Sequence, residues 1–157
     1  MKKIIAEYLR TIIVSFEFLT ILLGLAVSLY FPVELEALAK NIISEDEIVK
    51  YLTLLPSAFF IWTIKEAIAL LFPNEKYVKV LHNWKDYWRL RIHFYVSVFY
   101  SLFFAVVGIL VWIMGYKINE ANGFLFLVSS VVGGFIVVSS VYFAKIRQKE
   151  ILLKNSD

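Results

Sequence analysis

The sequence predicts an all-α integral membrane protein, a bundle of four transmembrane helices with a cytoplasmic amphipathic helix or helix extension between the second and third. Three observations support this: the composition, four long apolar stretches, and the placement of lysine and arginine. Of 157 residues, 61% are apolar and only 18% are charged, and the mean hydropathy is +0.75. Soluble domains have about 45–50% apolar and about 25% charged residues, so the composition indicates a chain surrounded by lipid and excludes a disordered one.

Four stretches are long enough to cross a bilayer, which requires about 20 consecutive, mainly apolar residues in a helix. They are residues 11–31, 51–72, 92–116 and 123–144. The first two end before Pro32 and Pro73, and the last two contain no Asp, Glu, Lys or Arg. The first stretch is longer than the apolar region of a signal peptide, about 7–15 residues, so we expect it to remain as a span. The prediction is a single membrane domain over 1–157.

Lysine and arginine are concentrated on one side of the predicted membrane. Twelve of them lie near the N-terminus, in the connection between spans two and three, and in the tail 145–157, whereas the opposite side has three. Positively charged loops stay in the cytoplasm. We therefore expect a multi-pass protein of the cell (inner) membrane with both termini in the cytoplasm.

The connection 74–91 has apolar residues at the i, i+3, i+4 and i+7 spacing of an amphipathic helix. A basic amphipathic helix with tryptophans either lies on the membrane surface or binds a protein partner. No Gly or Pro occurs between Pro73 and Gly108. The segment can therefore also form one long helix that continues into span three and projects into the cytoplasm. Residues predicted to contact a partner or the membrane surface are Lys76, Lys79, Trp84, Lys85, Trp88, Arg89, Arg91, Lys145, Arg147 and Lys149.

Three ionisable residues fall inside the predicted spans: Glu17 in the first, and Lys65 and Glu66 in the second. At 1.5 Å per residue, each lies about 9–10 Å from the predicted cytoplasmic boundary. A charge near a helix centre costs about 2.5–3.5 kcal/mol on insertion scales, and such residues usually pair or face a cavity. We expect a Glu17–Lys65 ion pair, with Glu66 as a spare carboxylate. The cluster either fixes helix packing or lines an ion or proton path.

Small residues mark where membrane helices approach closely, because lipid supplies no hydrophobic drive for association. Residues predicted to mediate helix packing or oligomerisation are Gly24, Ser101, Ala105, Gly108, Ser130, Gly133 and Gly134. Spans three and four should form an antiparallel hairpin. Span four has small residues on nearly two of its faces. Because the hairpin uses only one of them, the second face predicts a contact with another subunit and hence a homo-oligomer.

Enzymatic chemistry is not indicated by the residues. There is no cysteine, and the two histidines, His82 and His93, are too far apart along a helix to share a metal ion. Phosphate-binding glycine loops and nucleophile motifs are absent from the sequence, so we expect no enzyme, cofactor or metal site. The net charge of +3 is too small to indicate nucleic acid binding.

Two functions remain open. The first is an oligomeric membrane anchor or sensor subunit that binds a cytoplasmic protein through its basic face, as in bacterial multi-component systems such as phage defence. The second is a small ion channel or transporter that uses Glu17, Lys65 and Glu66.

Overall fold

The computed structural model of the chain describes residues 2–42, 46–72, 81, 84–113 and 121–154. Within these ranges all regular structure is helical, as predicted. The helices are α1 (Lys2–Ile13), α2 (Phe16–Tyr30), α3 (Pro32–Ile42), α4 (Asp46–Leu71), α5 (Tyr87–Ile113) and α6 (Ala121–Lys154).

Three helices are long and apolar enough to cross a membrane. They contain the segments Tyr51–Leu71, Tyr87–Ile113 and Ala121–Leu152, which correspond to predicted spans two, three and four. Only 22%, 44% and 33% of their most apolar windows, respectively, is buried inside the protein. Most of each apolar surface therefore faces outward, as lipid contact requires. These three predicted spans are confirmed as helices of spanning length and composition.

The first predicted span, 11–31, is not one continuous helix. The helix is interrupted after Ile13, and the axes of α1 and α2 meet at an angle of 46°. Ser15 explains the break because its hydroxyl donates to the carbonyl of Ile12 at 2.9 Å and accepts from the backbone N–H of Phe18 at 3.1 Å. It thereby caps α2 and satisfies backbone groups on both sides of the bend. The 15 residues of α2 cover only about 22 Å, so a crossing would use α1 and α2 together.

Helix boundaries differ from the prediction at the basic ends of the spans. Helix α5 begins at Tyr87 rather than 92, and α6 continues unbroken to Lys154 rather than ending at 144. Its 34 residues extend over about 51 Å, more than the 30 Å of a hydrocarbon core. Half of the predicted amphipathic segment 74–91, including Lys76 and Lys79, lies outside the described residues.

Helix α6 is the central element of the bundle, in contact with α2, α3, α4 and α5. Helices α4 and α5 also pack on each other. Helix α6 is antiparallel to α5, as the predicted hairpin requires, because Gly133 lies against Phe104 and the later residue Ser140 contacts the earlier residue His93. Helix α1 lies against α5, where the hydroxyl of Tyr100 donates to the carbonyl of Ile12 at 3.0 Å.

Glycines allow the close approaches to α6. A Cβ atom at Gly133 would overlap the ring of Phe104 on α5, and one at Gly134 would lie 2.7 Å from the ring of Phe59 on α4. Each of these two glycines therefore accepts a phenylalanine from a different neighbouring helix.

The remaining predicted packing residues are also used within the chain. A Cβ at Gly24 on α2 would lie 2.9 Å from the hydroxyl of Ser129 on α6, and one at Gly108 on α5 would lie 2.7 Å from the carbonyl of Thr53 on α4. Ser101, Ala105 and Ser130 are buried. The second small face of α6, from which a homo-oligomer was expected, is occupied by helices of the same chain. Self-association stays a prediction, and the small residues of α6 no longer support it because contacts within the chain account for them.

Candidate functional site

Most polar contacts between helices gather at one end of the bundle, where α4 ends, α5 begins, and α6 runs past both. We call this region the basic end and define it by residues 84–93 at the start of α5 and 139–154 at the end of α6. Helix α1 lies beside it, because Glu7 Oε1 is 3.7 Å from Arg89 Nε.

Glu66 of α4 and Lys145 of α6 form an ion pair inside the basic end. The Lys145 Nζ to Glu66 Oε2 distance is 2.5 Å, and the side chains are only 30% and 16% exposed, respectively. Lys145 was expected to contact a partner or the membrane surface, but it is directed into the bundle instead. The contact neutralises two charges that would otherwise be costly at this depth.

The expected Glu17–Lys65 pair is wrong. Lys65 is exposed, and it forms no ion pair with the residues that the structure describes. Consecutive helical residues point about 100° apart, so Lys65 and Glu66 cannot both face α6. The rotation of α4 decides which of its two ionisable residues, Lys65 or Glu66, is paired.

Glu17 lies near a histidine rather than a lysine. Its side chain is only 4% exposed, and its carboxylate interacts electrostatically with the His93 ring. Ser140 of α6 is hydrogen-bonded to His93 through Oγ and Nε2, 3.0 Å apart. Sequence reasoning missed this contact, although His93 and Ser140 both occur close to the predicted cytoplasmic ends of antiparallel spans, which was the signal available.

Gln148 joins the last turns of α6 to the end of α4. Its side-chain amide Nε2 donates to the carbonyl of Leu70 at 3.2 Å, and the residue is buried. Carbonyls in the last turn of a helix have no partner within the helix, so this bond satisfies one of them. It also holds α6 in register with α4 beyond the Lys145–Glu66 ion pair.

The predicted surface residues at the start of α5 are mainly accessible. Lys85, Trp88, Arg89 and Arg91 are exposed, whereas Trp84 is half-buried and packs against the core. Arg89 lies 3.3 Å from Asp86, and its guanidinium is 5.4 Å from the centre of the Trp88 ring. On α6, Arg147 and Lys149 are exposed as well.

A cavity of about 760 Å³ opens at the basic end. Its walls come from residues 84–93 around the start of α5, residues 135–147 of α6 and the first residue of α2. The lining residues are Phe16, Trp84, Asp86, Arg89, Leu90, His93, Phe135, Ile136, Ser139, Ser140, Phe143, Ala144 and Arg147. Among the described residues no group of His, Cys, Asp and Glu is arranged to hold a metal ion.

Comparison of the chain with models of known protein families, with curated proteins and with solved structures finds no match. Function is therefore inferred from the residues and their geometry.

We predict that Glu66 and Lys145 are energetically coupled. Lys145→Met should lower the free energy of unfolding by about 1–3 kcal/mol, because it leaves a carboxylate without its partner. Glu66→Gln combined with Lys145→Met should cost less than the sum of the two single variants. Unfolding in detergent micelles measures all three. Lys65→Met is the control and should change stability by less than about 0.5 kcal/mol; strictly additive effects at 66 and 145 would contradict the pairing.

Proposed function

We propose that this chain is a four-span membrane anchor or sensor subunit that binds a cytoplasmic protein partner through its basic end. The observation that carries the proposal is the convergence of cations from two helices on one end of the bundle. Arg89 of α5 and Arg147 of α6 line the same cavity, although they are far apart in sequence. A cationic surface of this kind favours and steers an acidic partner.

Several of these cations are available for intermolecular contacts. Within the described ranges, Lys85, Arg147 and Lys149 are exposed and form no ion pair. Arg91 is exposed and, among the residues that the structure describes, donates only to the hydroxyl of Tyr95, at 3.4 Å. Exposed cations that have no internal partner are free to pair with carboxylates of another protein.

The length of α6 also supports a docking role. Because the helix is about 20 Å longer than the hydrocarbon core, its last turns extend beyond the membrane when the apolar part is embedded. Gln148 ties these turns to α4. The helix end that carries Arg147 and Lys149 is thus held rigidly, and a rigid surface loses less conformational entropy on binding.

The alternative, an ion channel or transporter lined by Glu17, Lys65 and Glu66, has less support. Glu66 is occupied by Lys145, Lys65 faces outward, and Glu17 interacts with His93. Among the described residues, no ion pair or hydrogen bond links one of these three side chains to another. An ion path would need partners that change during transport, and the Glu66 contact is a direct ion pair.

The first prediction from this proposal concerns topology. The sequence contains no cysteine, so single cysteines can be introduced at the exposed positions Ala6, Glu34 and Lys149. If α1 and α2 cross the membrane together, a membrane-impermeant maleimide should label Glu34→Cys from outside the cell. Ala6→Cys and Lys149→Cys should react only after the membrane is opened. Labelling of positions 6 and 34 from the same side would contradict the four-span arrangement.

The second prediction concerns the partner. A photo-crosslinking amino acid at Lys149 or Arg91 should capture one discrete soluble protein in the native cell, and Lys85→Glu, which lies outside the cavity lining, should weaken capture at both positions. The same amino acid at Leu110, exposed on the apolar part of α5, is the matched control and should capture no soluble protein.

A purified sample in liposomes distinguishes the alternative function. The anchor proposal predicts no ion flux from the protein alone. Flux that disappears in Glu66→Gln, together with equal crosslinking at positions 149 and 110, would overturn it in favour of a channel.

A further inference from the structure

The cavity at the basic end changes character along its length. On α6 its lining runs from Arg147 at the basic end to Phe135 deeper in the bundle. Twelve residues of helix correspond to about 18 Å, comparable to the 15 Å or so of hydrocarbon in one leaflet. A polar head and an apolar tail could therefore be accommodated at the same time.

The polar part of the cavity carries a positive charge. Arg89 and Arg147 are its cations and Asp86 is its anion, while His93 lies further in and is bound to Ser140. Arg89 is held by Asp86 and by Glu7 of α1. A guanidinium has five N–H donors, so Arg89 can keep these contacts and still donate to a ligand, and Arg147 has no ion pair within the described residues. Arginine suits phosphate because its planar fork binds two oxygens at once.

Apart from its charged residues and His93, Ser139 and Ser140, the cavity lining is mainly apolar, and the cavity is open on the outer surface of the bundle. Phe16, Phe135 and Phe143 line it and are 75%, 62% and 68% exposed, respectively. Side chains this exposed on apolar helices are in contact with lipid when the bundle is embedded. The cavity therefore communicates sideways with the hydrocarbon region of the bilayer.

We propose that this cavity binds one anionic phospholipid of the adjacent leaflet. The phosphate lies between Arg89 and Arg147, and one acyl chain follows the wall formed by Ile136, Phe135 and Phe143. The rest of the lipid stays in the bilayer. The phosphate uses Arg89 and Arg147, which also belong to the proposed protein-binding surface, whereas Lys85, Arg91 and Lys149 lie outside the cavity lining and remain for the partner.

A phospholipid fits the cavity better than the other ligands of the same charge. A soluble anion would use the two arginines but would leave the phenylalanine wall unoccupied. An acidic protein segment would approach from the aqueous side and would have to insert about 18 Å into the apolar part of the bundle to fill the same space. The size, about 760 Å³, is within the range of about 300–1,000 Å³ typical of small-molecule sites.

The test compares lipid retention by native mass spectrometry of the full-length protein in detergent with phosphatidylglycerol or phosphatidylcholine added. Wild-type protein should retain one phosphatidylglycerol in preference to phosphatidylcholine. Arg147→Gln should weaken retention at least about tenfold, because it removes a charged hydrogen bond. Lys149→Gln removes the same charge from the same helix outside the cavity and should leave retention unchanged. Ser139→Trp keeps both arginines but fills the middle of the cavity and should also prevent retention.

Each other result overturns the proposal. Equal losses in Arg147→Gln and Lys149→Gln would mean that surface charge alone attracts the lipid. Displacement of the lipid by inorganic phosphate at equal concentration would indicate a soluble anion site, and unchanged retention in Ser139→Trp would place the lipid elsewhere. Thermal unfolding of each variant confirms that it is folded. The crosslinking at Lys149 and Arg91 is unaffected by any of these outcomes, so the failure of either proposal can be recognised separately.

Discussion

Close contact between α6 and the helices around it is the constraint on which the rest of the structure depends. Lipid tails are as apolar as leucine, so burial of apolar surface does not hold these helices together, and packing must do so. Gly133 and Gly134 each accept a phenylalanine from a different helix, and Ser129 lies against Gly24 of α2. Because three helices approach α6 at small residues, α6 also sets which polar groups meet at the basic end.

The polar contacts at the basic end follow from that arrangement. Once α4 and α5 are packed on α6, Lys145 meets Glu66, Ser140 meets His93, and Gln148 reaches the carbonyl of Leu70. These contacts offset the cost of polar groups near the hydrocarbon and leave other cations exposed. The basic end thus combines a fixed internal network with an outer surface that is available for ligands, which is the basis of both the protein and the lipid proposals.

Sequence reasoning succeeded where composition and length decide the outcome. Spans two, three and four were predicted because a long apolar helix is the only way to bury so many apolar residues with every backbone group bonded. The predicted packing glycines, such as Gly108 and Gly133, do lie at close approaches because small side chains have few other uses in a span.

Rotation and local capping could not be predicted. The face of α4 that meets α6 depends on packing along the whole helix, so Glu66 rather than Lys65 is paired. The break before α2 depends on a single hydroxyl, Ser15, within an apolar run that otherwise predicts one helix. The second small face of α6 was assigned to another subunit because the sequence does not show that α2 and α4 both pack against small residues of α6.

Disulfide formation between α2 and α6 is the most direct measurement of this packing. An ideal Cβ at Gly24 lies 3.8 Å from the Cβ of Ser129, within the range of about 3.5–4.5 Å found in disulfides. In a chain without other cysteines, Gly24→Cys with Ser129→Cys should oxidise within one molecule, in native membranes, nearly to completion. Gly24→Cys with Val132→Cys, an exposed position on α6, should stay reduced. Oxidation of the 24/132 pair but not of 24/129, or crosslinking only between molecules, would contradict the central place of α6.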